Sequence, residues 1–383
     1  MAITVQSSPA AFSSAHDALY HVVTSSNVTQ SNFKYVFDIS IGGNLVATIK
    51  AFPDTGSYGI FDASPIVRNY FDSGFIPATN TVLQNANTGL FVNYTIAYGE
   101  EYVSSGQLTT FPNLLVISTY YGWNYSADPF GNTLGDYANK FVTSRDRTTF
   151  EVISGERLFL TYMNTAGAGV TATIQKITSN GTNDGSASVG PSISTENTLL
   201  LDLSPTAINT YLGSSFITSS TYGYQVTIGT DTITVTQVVA PKWTPMLITF
   251  LNQYGGYETF GFRLLSRQQK RFNRNTYKAN EFVRSSGNMI NKSASNVLYG
   301  GVQQFAGVVD YSYLVVSDYM NVKDYNVGSQ LLSSPEAYLH LSGSYYPIVM
   351  KSTDWAEKNT TSDRNFNYEL TFDLSNKQAV QYR

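Results

Sequence analysis

The sequence predicts an all-β protein: tandem immunoglobulin- or fibronectin-like β-sandwiches, followed by a small, mostly β C-terminal domain with one helix. Three observations lead there. Charged residues make up only 13% of the chain, against about 25% in an average soluble protein, so the Lys- and Glu-rich surfaces of long solvated helices are scarce. Aromatics reach 14%, with 28 Tyr and 22 Phe, and Tyr, Phe, Thr, Val and Ile favour strands. Apolar runs of strand length recur between Gly, Pro, Asn and Asp, the residues that supply turns.

The elements follow in chain order. Residues 33–39 alternate large side chains with smaller or polar ones, and 45–51 follow Gly42-Gly43-Asn44, a hairpin turn. Further strands are predicted at 91–98, 114–119, 156–162, 170–177, 199–203, 224–228, 232–239, 246–251 and 259–265. Two short helices open on an N-cap serine with proline at the first helical position, Ser64-Pro65 and Ser204-Pro205. A third candidate runs over 318–332 with Asp318 as its cap. Residues 308–316, 336–342, 345–352 and 367–375 read as the strands of the last domain.

The Asp62-Ala63-Ser64-Pro65 and Asp202-Leu203-Ser204-Pro205 segments open an internal repeat. Around them 46–50 matches 170–175, 94–99 matches 226–230 and 115–118 matches 247–250, in the same order. The expected organisation is an extended N-terminal arm (1–29), a first sandwich (30–155), a second that repeats it (156–266) and a C-terminal domain (267–383). Residues 177–195, almost all Ser, Gly, Thr and Asn, read as a flexible surface excursion. Residues 267–301 are polar and without periodicity, and read as a basic linker loop.

Most chemistry is argued against. With no Cys, disulfide scaffolds, thiolate metal sites and cysteine nucleophiles are excluded. His16, His21 and His340 are too scattered for a metal centre and read as structural or exposed. Gly213-Ser214-Ser215-Phe216 lacks the second glycine of a nucleophile elbow. Asn183-Asp184-Gly185 lacks the remaining ligands of a calcium loop. The expectation is a non-enzyme with no cofactor and no metal. The net charge of −4 argues against a globally basic nucleic-acid binder. No run of 18 apolar residues occurs, so no helix should span a membrane. The N-terminus carries no signal-peptide pattern, so synthesis in the cytoplasm is expected.

Two features remain as candidate sites. Tyr120, Tyr121, Trp123 and Tyr125 crowd a predicted loop beside Gly122, and their readings are sandwich core, protein interface or glycan platform. Residues 253–262 read as the corresponding region of the second repeat. The other feature is a run of bases: Arg263, Arg267, Lys270, Arg271, Arg274, Lys278 and Arg284. Seven bases against Glu281 leave this run at +6, while the other residues carry 16 bases and 26 acids, a net of −10. A solvated loop and nucleic-acid contact are the alternatives; an arm docking on an acidic neighbour in a ring of copies fits the asymmetry best.

The segment Ile248-Thr-Phe-Leu-Asn-Gln-Tyr-Gly-Gly-Tyr-Glu-Thr-Phe-Gly-Phe262 resembles one common in structural proteins of tailed-bacteriophage virions. The resemblance extends through 331–339, Tyr346-Pro-Ile-Val-Met-Lys-Ser-Thr353 and 367–378, covering about 244–383 and more loosely the N-terminal repeat. It is similar to distal-tail and baseplate proteins. It implies a virion structural component made in the host cytoplasm, whose partners are copies of itself and other virion proteins. A glycan-binding adhesin that meets host surface glycan, or a capsid-decorating spike, stands as the alternative.

Overall fold

The computed structural model describes residues 3–72, 74–77, 83–85, 88–116, 119–124, 134–145, 149–166, 169–190, 198–238, 242–280, 282–291, 293–294, 297–298, 300–320, 325, 327–355 and 366–379. The protein is all-β, and its chain divides into two compact units. The first holds residues 1–240 and Phe250–Thr259, the second Pro241–Thr249 and Phe260–Arg383.

In the first unit the chain forms β1 (Ile3–Ser7), β2 (Phe12–Ser14), β3 (Tyr20–Ser25), β4 (Lys34–Ile41), β5 (Asn44–Ala51), β6 (Gly59–Asp62), α1 (Ser64–Arg68), β7 (Leu83–Asn85), β8 (Phe91–Ser104), β9 (Gln107–Val116) and β10 (Tyr120–Trp123). It continues through β11 (Lys140–Val142), β12 (Thr149–Val152), β13 (Phe159–Met163), β14 (Ala172–Ile177), β15 (Asn183–Val189), β16 (Thr198–Asp202), α2 (Pro205–Leu212), β17 (Gly223–Ile228) and β18 (Asp231–Gln237).

These strands build two sandwiches in tandem with one strand order. In the first, β1–β3–β6 packs on β2–β10–β8–β4–β5; in the second, β11–β13–β16 packs on β12–β18–β17–β14–β15. In each, the second strand pairs parallel with the last: β2 with β10, and β12 with β18. A three-stranded sheet facing one extended by a hairpin strand is an immunoglobulin-like sandwich. The Gly42-Gly43 turn behaves as read, with both residues at positive φ, 58° and 79°.

Each sandwich encloses its own core. Ile3, Val23 and Phe61 meet Phe37, Ile39, Tyr94 and Tyr98 in the first. Leu160, Tyr162 and Leu201 meet Ile174, Val226 and Val235 in the second. Each such buried side chain contributes about 1.5–3 kcal/mol of transfer free energy.

The two sandwiches thus share one strand order, at other boundaries than those read from sequence. Asp62 Oδ1 accepts from the Ser64 amide at 2.9 Å, and Asp202 Oδ1 from the Ser204 amide at 3.0 Å. Both aspartates close a strand and open a helix. Two of the landmark pairings are corrected. Residues 46–50 lie in β5, whose counterpart is β15, whereas 170–175 enter β14. Residues 115–116 end β9, whereas 247–250 lie in a hairpin beyond the second repeat. Short Thr-rich strands resemble one another whatever their place in a sheet.

Residues 1–29, expected as an arm, supply β1, β2 and β3 and place Ile3, Leu19 and Val23 in the first core. β11 and β12, expected in the first sandwich, belong to the second. The 177–195 excursion contains β15, a polar edge strand pairing with β14. Its outward residues are all polar, so no apolar alternation betrays it.

β19 (Met246–Leu251) and β20 (Tyr257–Phe262) follow. Their tip completes the first unit, where β20 pairs with β13 at Glu258 and Leu160. The second unit contains β21 (Arg267–Ala279), β22 (Phe282–Ser285), β23 (Asn288–Asn291), β24 (Ser293–Ala294), β25 (Val297–Leu298), β26 (Gly301–Val316), α3 (Val327–Ser333), β27 (Ala337–Leu341), β28 (Ser344–Met350), β29 (Glu369–Leu374) and β30 (Gln378–Ala379). Its sheet runs β21–β26–β29–β28–β27, with β30 on β26. Of the helix read over 318–332 the described part is Val327–Ser333, and at the start of that range Met320 bridges Phe366.

Candidate assembly surface

The basic segment is a strand. Residues 267–279, expected as a loop, form β21 and pair antiparallel with β26 from Arg267–Leu314 to Ala279–Gly301. All but the last of its residues are exposed. A strand solvated on both faces needs no hydrophobic alternation, which is why periodicity missed it.

The sheet supports only one end of this pairing. β29 lies against β26 at 312–316, and β30 at 308–309. Beyond them residues 274–279 and 301–307 pair only with each other among the described residues. At about 3.3 Å per residue this is a two-stranded ribbon of roughly 20 Å, a structure marginal in water by itself. β22 and β23 form a hairpin between its two strands, turning at Ser286 and Gly287, both at positive φ. That Ser-Gly pair was the sequence signal of a hairpin in this region.

The seven bases do not form one patch. Arg263 precedes the ribbon, is buried and lies 3.8 Å from Asp318. Period-two alternation puts Arg267 and Arg271 on one face, and Lys270, Arg274 and Lys278 on the other. Arg271 stands opposite Asp310 across the ladder. Asp310 also accepts from Asn273 at 2.6 Å and pairs with Lys377 at 3.3 Å. The charge on this face is therefore partly met within the sheet. On the other face Lys270 Nζ sits 5.4 Å above the Tyr311 ring, and Arg274 stands opposite Gly307, which offers no side chain. Arg284 lies on β22.

Apolar side chains accompany the bases. Phe272, Tyr277, Val302 and Phe305 on β21 and β26 are exposed, as are Phe282, Met289 and Ile290 on the hairpin between them, and Val302 reaches 75%. Scattered exposed apolar residues are ordinary; here seven lie on two strands and the hairpin between them.

The aromatic segment is placed differently from the loop expected. Residues 120–123 form β10, an inner strand between β2 and β8. Tyr120 points into the first core. Trp123, 1% exposed, packs with Val142, Met163 and Tyr254 in the cluster that joins the two sandwiches. Tyr121 stacks on Phe12 with ring centroids 4.9 Å apart. Neither a glycan platform nor a free interface remains at Tyr120 or Trp123, since both side chains are buried. Tyr125 lies outside the described residues. The 253–262 segment, read as the counterpart, is the β19–β20 hairpin; the counterpart of β10 is β18.

Among the described residues no group of three or more His, Asp and Glu is placed to hold a metal ion. No helix among them is long and apolar enough to cross a membrane.

No family model and no curated protein matches the chain. Among solved structures it is similar to a chain in the crystal structure of Dpr2 Ig1-Ig2 in complex with DIP-Theta Ig1-Ig3. The identity is 7% and the TM-score 0.19, over 82% of this chain and 94% of that one. A score that low has no bearing on the fold, which rests on the strand order.

Proposed function

We propose that this protein is a non-enzymatic structural subunit that assembles with copies of itself. Its setting, on the sequence resemblance, is the virion of a tailed phage, where it would form a ring in the tail or baseplate. The observation that supports assembly is the β21–β26 ribbon. It extends past its sheet, exposes a cationic row of Lys270, Arg274 and Lys278, and carries Phe272 and Val302 beside that row. A two-stranded ribbon holds little stability alone, so an acidic and apolar seat on a neighbour would complete it. The rest of the chain, at a net −10, supplies the opposite charge.

Native mass measurement of the purified chain tests this. The wild type should be oligomeric, and its assembly should weaken between roughly 50 and 500 mM salt as the Debye length shrinks. The triple variant Lys270→Ser/Arg274→Ser/Lys278→Ser should shift toward monomer with both sandwiches folded. A wild type that stays monomeric at high concentration, or a triple variant of unchanged mass, refutes the reading.

A further inference from the structure

One end of each sandwich meets a different fate. In the first, the start of β8 and the end of β10 offer Phe91 and Trp123, which pack against the second sandwich. In the second, the start of β17 and the end of β18 are the matching position. There Thr221, Tyr222, Gln237 and Val238 border a groove of about 730 Å³. Its other walls are the β12–β13 connection, the β14–β15 turn and the strand ends beside that turn, which supply Ile153, Ser154, Ile177, Thr178, Ser179 and Asp184.

The chemistry of this groove is unlike that of the closed end. No Trp or Phe ring lines it; serine and threonine hydroxyls, Ser219 and Ser220 among them, share its wall with Ile153, Ile177 and Val238. Tyr222 stands 48% exposed at its edge. Gln237 Nε2 donates to the Thr218 and Thr221 carbonyls at 2.9 and 2.8 Å, tying that rim to β18. Asp184 also lines the groove, with Lys176 Nζ 4.0 Å from its Oδ2.

We infer that this groove binds a neutral saccharide. A sugar ring presents an apolar C–H face and a rim of hydroxyls. An exposed tyrosine ring takes the first, and a carboxylate with serine and threonine hydroxyls takes the second. A protein domain seated here would need large aromatic anchors such as those at the closed end, and the Lys176–Asp184 pair leaves this wall with no net charge to draw an anionic sugar. An open pocket with one aromatic wall and convergent polar groups is the form of a small-ligand site. The inference is independent of the assembly reading, since the groove is lined only by residues of the second sandwich and shares none with the ribbon.

The experiment is a printed panel of neutral hexose and N-acetylhexosamine oligosaccharides, with sialylated and sulfated ones alongside, probed with the labelled full-length chain. The expected result is retention on neutral glycans, reduced at least tenfold by Tyr222→Ala. Ser220→Trp, which fills the groove from an exposed position, should reduce it as strongly. Thermal melting of both variants should match the wild type. Absence of binding to every neutral glycan overturns the inference, as does binding confined to anionic ones. So does neutral binding that both variants leave within twofold.

Discussion

At the residue scale, His21 occupies a position that the repeat assigns to an apolar side chain. It pairs with Phe61, one residue before Asp62, as Leu160 pairs with Leu201, one before Asp202. Its Nδ1 lies 2.9 Å from the Tyr98 hydroxyl and its Nε2 3.2 Å from that of Tyr94. Burial pushes its pKa from 6.5 down to about 4, against an upward pull from Asp62. With the folded pKa below the unfolded one, the neutral ring's stability is complete above about pH 6.5 and is lost as pH falls toward 4. By pH 5.5 the loss is about 1.4 kcal/mol. His21→Leu should remove that slope. It should also lower the melting temperature at neutral pH, because two buried tyrosine hydroxyls lose a partner at about 1–3 kcal/mol each. Thermal melts of both proteins from pH 7.5 to 5.5 should converge as pH falls; parallel curves would show that His21 does not titrate in the unfolding reaction.

At the element scale, the two helix starts share a sequence and differ in what it does. Ser204 is extended and accepts from the Ala207 amide at 3.2 Å, an N-cap on an eight-residue helix. Ser64 already lies within the five-residue α1 and makes no cap bond. Ser204→Ala should therefore cost about 1 kcal/mol, and Ser64→Ala less, by chemical denaturation. Equal losses would mean that burial of both serines, and not capping, sets the value. The glycine of the aromatic segment also has a packing reason. A Cβ on Gly122 would stand 2.7 Å from Val67 Cγ1 and 3.3 Å from Ala15 Cβ. β10 thus lies close against α1, and Gly122→Ala should destabilise the first sandwich by about 1–3 kcal/mol. A melting temperature within a degree of wild type would show that α1 gives way freely.

At the scale of the whole molecule, the second sandwich is completed from outside its own repeat. β7 adds to β16 from the first sandwich, and the β19–β20 tip adds to β13. The tip also closes a polar network. Glu258 accepts from the Ser144 amide at 2.6 Å and from Asn252 Nδ2 at 3.1 Å, and Thr259 Oγ1 accepts from the Phe159 amide at 3.0 Å. A fragment ending at residue 240 should melt well below one ending at residue 262, because it strips β13 of a neighbour and leaves buried polar groups unpaired. Scanning calorimetry of the two fragments decides it; equal transitions would make the hairpin dispensable.

What the sequence by itself determined is the class and the doubling. Low charge, abundant Tyr and Thr and the regular turn residues specify strands through local propensity. The Asp-x-Ser-Pro turns are local hydrogen-bonding devices that work wherever a strand runs into a helix. What only the tertiary structure decided is which face each strand spends. Tyr120 and Trp123 read equally as core, interface or glycan platform, because a strand's exposure depends on its neighbours, and the partners in β2 and β8 lie 109 and 26 to 32 residues away in sequence. β15 and β21 escaped notice for the opposite reason. Their order comes from backbone ladders with a partner, and backbone hydrogen bonds leave no trace in the pattern of side chains.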